Sequence, residues 1–333
     1  MSAARKLLYP FSLLYGGVTA LRNELYDRGI FSSNTFDLPV IAVGNLSVGG
    51  TGKSPMVEYL VTLLKNKKQV ATLSRGYKRS TSGFHLLTGK EAAAEVGDEP
   101  LQFKMKFPEV LVAVDEDRSH GIRELLKQNP KPEVIILDDA FQHRKVKAGF
   151  YILLTPFENL YSDDLVLPAG NLREPKWGAK RADVIIVTKC PERLSSSERE
   201  RIENDLKLEE DQELFFSRIA YSEKVYGGSE SFSVEDLKNR KFTLVTGIAN
   251  PKPLIAYLQN KGLNFEHLKF PDHHNFSVSE LKELRSREMI LTTEKDYMRL
   301  KNDISKERLF YLPIATEFLE RKDVFGQLIK EFK

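Results

Sequence analysis

The sequence predicts an α/β protein with a mostly parallel sheet flanked by helices, followed by a smaller C-terminal α/β unit. Three observations predict it. Short continuous apolar runs rich in β-branched residues recur along the first part of the chain. Helix-patterned stretches lie between several of them. The same alternation restarts after a glycine-containing break near residue 225. Unbroken apolar runs mark strands covered on both faces, as in a parallel sheet between helix layers. At 333 residues there is room for two such units, and a core can form without cross-links.

The first element is the N-terminal region, residues 1–30. Arg5 and Lys6 precede fifteen residues, Leu7 to Leu21, that carry no charge. The outline is that of a signal peptide, but "VTALRNE" is a poor cleavage context. As a helix those residues reach about 22 Å, short of the ~30 Å hydrocarbon core. Pro10 and Gly16-Gly17 weaken a span further. Two readings are left: a helix packed on its own domain, or an interfacial helix. The second sets Leu7, Leu8, Phe11, Leu14, Tyr15 and Val18 in the apolar layer and points Arg5, Lys6, Arg22 and Arg28 at anionic headgroups.

The next unit is expected over 31–224. Its strands are "LPVIAVGN" (38–45), "QVATLSR" (69–75), "VLVAV" (110–114), "EVIILDD" (133–139), "GFYILLT" (149–155) and "ADVIIVTK" (182–189). Helices are expected at 56–65 and 121–128, and the charged stretch 191–208 reads as a solvated helix. "ELFFSRIAYSEKVYGG" reads as an extended connector that ends in a Gly-Gly-Ser break at 227–229. The smaller unit, 225–333, then runs "KFTLVTGIAN", "PKPLIAYLQNKG" and "EMILTTEKD" as strand, helix and strand. Residues past 298 offer no motif.

Bulk properties exclude several classes. A net charge of +3, with basic residues not interleaved with aromatics, argues against a nucleic-acid partner. A single cysteine, Cys190, rules out an internal disulfide and a cysteine-based zinc site. It closes an apolar run and reads as a buried thiol. No obligate protein partner is evident.

The chemistry begins at "VGNLSVGGTGKSP". A phosphate loop needs G-x-x-x-x-G-K-[ST] between a strand and a helix: backbone N–H groups cradle phosphate, the lysine reaches the β and γ oxygens, and the hydroxyl meets Mg²⁺. Ser47 stands where the first glycine is usual, followed by Val48, Gly49, Gly50, Thr51, Gly52, Lys53 and Ser54. Pro55 can open the helix, since the first helical position has no N–H to lose. A Mg-nucleotide site also wants a strand-end carboxylate. "VIILDD" supplies Asp138 and Asp139, which are costly at the end of a buried strand unless paired or metal-bound. Loop and strand together indicate a P-loop NTPase core. A partitioning-type switch ATPase would carry a lysine at position 48, where this chain has valine. A soluble small-molecule kinase is the other alternative, and the apolar N-terminus weighs against it.

Seven collinear motifs then resemble one family: "VGNLSVGGTGKSP", "LSRGYKR" (73–79), "VGDEP" (96–100), "LDDAFQHRK" (137–145), "LPAGNLREP" (167–175), "FPDHHNF" (270–276) and "TTEKD" (292–296). Their order is that of the tetraacyldisaccharide 4′-kinases, in which the serine of the loop is typical. The resemblance implies ATP and Mg²⁺ as cofactors. It implies an acylated glucosamine disaccharide 1-phosphate as acceptor, phosphorylated at its 4′-hydroxyl. It implies a peripheral place on the cytoplasmic face of the bacterial inner membrane, with that anionic surface as a partner.

It also implies residue roles. Asp98 is the expected base, paired with His273, with His274 as the alternative. Lys53 acts on the phosphates. Ser54, with Asp138 or Asp139, is expected at the metal, and Glu99 is a further candidate there. Gln142 and His143 are expected at the nucleotide or metal. Arg75, Tyr77, Asn171, Arg173 and Glu174 are candidate acceptor contacts, Glu174 alternatively balancing an arginine. Because Asp98 and His273 belong to different units, an inter-domain cleft is expected that nucleotide closes.

Overall fold

The computed structural model describes residues 5, 7–228 and 230–332. Lys6, expected at the headgroups, and Ser229, expected in the Gly-Gly-Ser break, lie outside the described residues.

The strands are β1 (Val40–Asn45), β2 (Val70–Ser74), β3 (His85–Leu86), β4 (Leu111–Val114), β5 (Val134–Asp138), β6 (Phe150–Pro156), β7 (Val184–Thr188) and β8 (Glu213–Tyr221). They continue as β9 (Lys224–Gly227), β10 (Glu230–Ser233), β11 (Thr243–Thr246), β12 (Glu266–Lys269), β13 (Ile290–Thr293), β14 (Leu309–Leu312) and β15 (Ile314–Phe318). The α-helices of seven or more residues begin with α1 (Tyr9–Asp27), α2 (Lys53–Leu64), α3 (Asp98–Lys106), α4 (Arg118–Leu125) and α5 (Ser196–Leu206). They continue as α6 (Lys252–Asn260), α7 (Val278–Arg285), α8 (Glu294–Leu300) and α9 (Lys322–Glu331).

Two sheets form. The larger has the order β15-β8-β7-β6-β1-β5-β2-β4-β3 and is parallel except at its two edges, β3 and β15. The smaller has the order β10-β9-β14-β13-β11-β12. The six apolar runs read as strands all lie in the larger sheet, and β1, β2, β5 and β7 are buried at every position. That is the signature of strands covered on both faces. The register that sets Val43 opposite Asp138 places the end of β5 beside the loop leaving β1.

Two expectations need correction. The stretch read as a connector is β8, an integral strand paired with β7, and its glycines sit at the β9–β10 hairpin. The expected second unit, 225–333, does not hold residues 314–332. There β15 pairs antiparallel with β8, and Phe325 of α9 packs its ring against Phe215, Phe318 and Tyr59 of the first unit. Aromatic packing decides this return, and no short motif records it.

The N-terminal helix packs against the usual polarity. Its buried residues are Ser12, Gly16, Thr19 and Asn23, a stripe at helical spacing. Ser12 Oγ accepts the amide of Ala169 at 2.8 Å, and Asn23 Nδ2 donates to Glu174 Oε2. The opposite face exposes Leu7 (80%), Phe11, Leu14 (70%), Val18 and Leu21. The expected basic flank is not free. Arg5 donates to Asn171 and Gly170, Arg22 to the Gln142 carbonyl, and Arg28 pairs with Glu24 on its own helix. Among the described residues no helix is long and apolar enough to cross a membrane.

Candidate functional site

The loop between β1 and α2 is built for close approach. Gly49 has φ +109° and Gly52 φ +92°, a region that side chains with a Cβ rarely occupy. Among the described residues, none of the backbone N–H groups of 49–54 has an acceptor within the chain. Six free donors ahead of a helix N-terminus make an anion cradle. The end of β7 braces it from below, where Thr188 Oγ1 donates to the Thr51 carbonyl at 2.7 Å. Lys53 Nζ donates to Asn45 Oδ1 at 3.3 Å and lies 3.5 Å from Asp139 Oδ1.

Three carboxylates face this loop. Ser54 Oγ donates to Glu99 Oε1 at 2.7 Å, and Lys295 pairs with the same oxygen. Burial opposes ionisation of Glu99, but Lys295 and the Ser54 hydroxyl overcome it and pull the carboxyl down to about 2. Asp138 goes the other way. Burial first, then the charges of Glu99 and Asp139, push it up to about 7, and its Oδ1 has no hydrogen-bond partner. Asp139 sits at φ +50° and accepts from Arg173 Nη1 at 3.0 Å. Burial works against its charge, yet Lys53 and Arg173 hold it below the usual carboxylate range.

The second unit contributes the other half. His273, itself at φ +56°, donates its amide to the Gly247 carbonyl at 3.1 Å. Its Nδ1 lies 3.0 Å from Asp98 Oδ2 and 3.0 Å from Arg299 Nη2. Arg299 Nε donates to the same oxygen at 3.0 Å, and Nη1 donates to Asp296 Oδ1 at 2.9 Å. His274 turns away and pairs with Glu280. The two candidate histidines are thereby separated by partner.

The remaining candidates divide. Gln142 Nε2 donates to the Asn45 carbonyl at 2.8 Å, beside the loop. Burial and the Arg118 guanidinium push His143 down to about 4, and its Nε2 is buried without a partner. Arg75 and His143 line a cavity of about 450 Å³ together with Arg22, Arg144 and Lys145. Tyr77 is 64% exposed with its ring edge-on to His273 at 5.7 Å.

Three candidates are corrected. The Val48 amide is taken by the Asn171 carbonyl at 2.8 Å and is not free for the cradle, while the Ser47 carbonyl accepts from Asn45 Nδ2. Asn171 spends its side chain on Asp164 and Arg5. Glu174 is 0% exposed and bound by Asn23, Gln142 and Arg181, so it balances an arginine and cannot reach an acceptor.

Sequence reasoning gave no role to Lys295, Arg299 or Arg118. The first two lie four residues apart on α8 and share the face aimed at α3. That spacing in "EKDYMR", which overlaps "TTEKD" and holds its lysine, was the available signal. Arg118 carries none: it is buried under β5 and donates to the Asp138 carbonyl at 3.3 Å.

The chain matches the family model described as tetraacyldisaccharide-1-P 4′-kinase over residues 4–333. The chain belongs to that family. A tetraacyldisaccharide 4′-kinase of Flavobacterium johnsoniae is 52% identical over 100% of this chain and 98% of the relative. One from Bacteroides fragilis is 45% identical over 97% and 92%. The crystal structure of the "apo" form of LpxK from Aquifex aeolicus in complex with ATP superposes with a TM-score of 0.81 at 35% identity, covering 99% of this chain and 100% of that one. The P-loop NTPase fold is therefore that of the 4′-kinases.

A 4′-kinase uses ATP with Mg²⁺, and the residues present fit that ion. Among the described residues no three His, Cys, Asp or Glu side chains converge as a ready cage. Mg²⁺ needs only one or two carboxylates, since it keeps several waters. The orphaned, buried Oδ1 of Asp138 and the hydroxyl of Ser54 are the donors that suit it.

Proposed function

We infer that this chain is an ATP-dependent kinase that transfers the γ-phosphoryl group to the 4′-hydroxyl of a tetraacyldisaccharide 1-phosphate, a precursor of lipid A. Family membership supports the reaction class. One observation carries it to this chain: the free N–H row of 49–54, with Lys53 and Ser54, opens beside an Asp98–His273 pair drawn from both units.

The N–H groups and Lys53 hold the phosphate chain. Ser54 and Asp138, with Asp139 or Glu99 beside them, would hold Mg²⁺. When bound, that ion neutralises charge on the β and γ oxygens. Asp98 takes the proton of the 4′-hydroxyl as that oxygen bonds to the γ-phosphorus. The bond from this phosphorus to the bridging oxygen breaks, and ADP leaves. His273 orients the carboxylate through its Nδ1. Asp98 is a weak base, but the hydroxyl loses its proton late in a loose transition state, so an ionised, well-aimed carboxylate suffices. Arg75, with the basic cavity around it, suits the acceptor's far phosphate. Tyr77 presents an exposed ring for a sugar face, and Arg173, paired with Asp139, stands at the phosphate loop. The apolar face of α1 supports docking at the cytoplasmic surface of the inner membrane. Each buried acyl CH₂ is worth about 0.8 kcal/mol, so the enzyme meets its lipid in the bilayer.

The test is a kinase assay with radiolabelled acceptor. Asp98→Ala should lose about 10²–10⁴ in kcat and keep nucleotide affinity. Lys53→Ala should weaken nucleotide binding as well. Near-normal turnover of Asp98→Ala would remove the base assignment.

A further inference from the structure

Helix α3 lies between the phosphate-loop helix α2 and helix α8 of the smaller unit, and it is tied to both along its whole length. On its first turn Glu99 meets Ser54 and Lys295, and Asp98 meets Arg299. One turn on, Gln102 Nε2 donates to Glu58 Oε1 of α2 at 2.7 Å. On its last turn Lys106 Nζ donates to Glu58 Oε2 at 2.5 Å and to Glu294 Oε1 of α8 at 3.1 Å. The other oxygen of Glu294 accepts the amide of Ile314, at the start of β15. Glu58 and Glu294 are both buried.

Two buried carboxylates from different units thus share one ammonium. Burial and the charge of Glu294 push Glu58 up to about 7 against the pull of Lys106. Burial disfavours the Lys106 charge, yet the two glutamates hold its pKa above the usual value. Tyr311 of β14 also faces the cluster, pushed up to about 12 by burial and by Glu294. Eight residues of helix separate Lys106 from Asp98, about 12 Å. Lys106 therefore touches no reacting atom.

We propose that Lys106 is a positioning residue: its bridge between Glu58 and Glu294 fixes the register of α3, and so aims Asp98 and Glu99 at the phosphate loop. The proposal rests on the reading of Asp98 as the base. Without Lys106 two buried carboxylates face each other with no counter-ion, an arrangement that costs far more than loss of an exposed pair. Their repulsion acts between α2 and α8, across the helix that carries the base.

Lys106→Met in the full chain tests it. At about pH 8, kcat should fall about 10- to 100-fold, the effect of a misaimed reacting group. Affinity for a non-hydrolysable ATP analogue should stay within about threefold, because the cradle is untouched. Amide hydrogen exchange over residues 98–103 should speed up. The kcat deficit should narrow as pH falls, as protonation of Glu58, raised to about 7 with Lys106 in place and higher without its pull, relieves the repulsion. Wild-type kcat with unchanged exchange overturns the proposal, and so does a deficit that ignores pH. If the methionine variant does not fold, Lys106→Gln, which keeps a donor and drops the charge, carries the same expectations. Asp98→Ala run in parallel separates the two readings. If that enzyme turns over normally while Lys106→Met still loosens residues 98–103, the base assignment fails and the clamp stands.

Discussion

Asp98 sits under opposing influences. Burial disfavours its charge, while hydrogen bonds from His273 and Arg299 more than compensate and hold the carboxyl below its ordinary value. A base must be ionised to act, so these partners extend activity towards acid. Removing Arg299 leaves burial less opposed, and the Asp98 pKa rises. Arg299→Gln is therefore expected to move the acid limb of the kcat–pH profile upward. An unmoved limb would mean that a different group sets it. Asp98 and His273 were legible in the sequence only through motifs that lie far apart in the chain. Arg299 had only its four-residue spacing from Lys295 to mark it, because its importance comes from the placement of α8 against α3. Glu174 misled for the opposite reason. It sits in a charged motif, but the stripe of α1 and Arg181 fold over it.

At the scale of elements, strands β1, β2, β4, β5, β6 and β7 could be read because double-sided burial leaves an unbroken apolar run. The shorter and more polar β9, β10, β12 and β15 could not, because their partners, not their composition, make them strands. The junction of β1 with the loop has a requirement that composition hides. A Cβ on Gly44 would stand 2.6 Å from Phe141 Cβ and 2.9 Å from the Phe141 amide nitrogen, and backbone cannot swing aside. Gly44→Ala is expected to cost about 1–3 kcal/mol in urea unfolding, the usual penalty of overpacking. Helix α1 carries the other prediction at this scale. Among the described residues its apolar face is exposed, while its small polar face is buried. Leu14→Glu with Val18→Glu should abolish flotation with phospholipid vesicles and leave the melting temperature nearly unchanged, since both residues are exposed. Retained flotation would exclude this face as the membrane contact.

Across the whole molecule, the two sheets are joined in a particular way. The chain leaves the larger sheet after Tyr221 and returns at Ile314, and these two residues are paired. Beyond the crossing Tyr226 pairs with Tyr311. Ser222 donates its amide to the Pro313 carbonyl at 2.9 Å, so both crossings form one two-stranded ribbon. A single ribbon resists shear but bends, so a closure of the two units would turn about it. At the site the units share an apolar core, to which Leu101 and Phe103 of α3 and Met298 and Leu300 of α8 all belong, and three ion pairs join the same helices: Asp98–Arg299, Glu99–Lys295 and Lys106–Glu294. Ion pairs weaken as salt shortens the screening length, from about 10 Å at 0.1 M to about 3 Å at 1 M, and the partly exposed ones weaken most. Added salt should therefore raise the radius of gyration in solution scattering. A non-hydrolysable nucleotide with acceptor should lower it again, because anionic phosphates bring Lys53 and the α3–α8 face to a common partner. Scattering curves that stay the same under both changes would make the two units one rigid body, and the Asp98–His273 pair would then be a permanent fixture that no closure assembles.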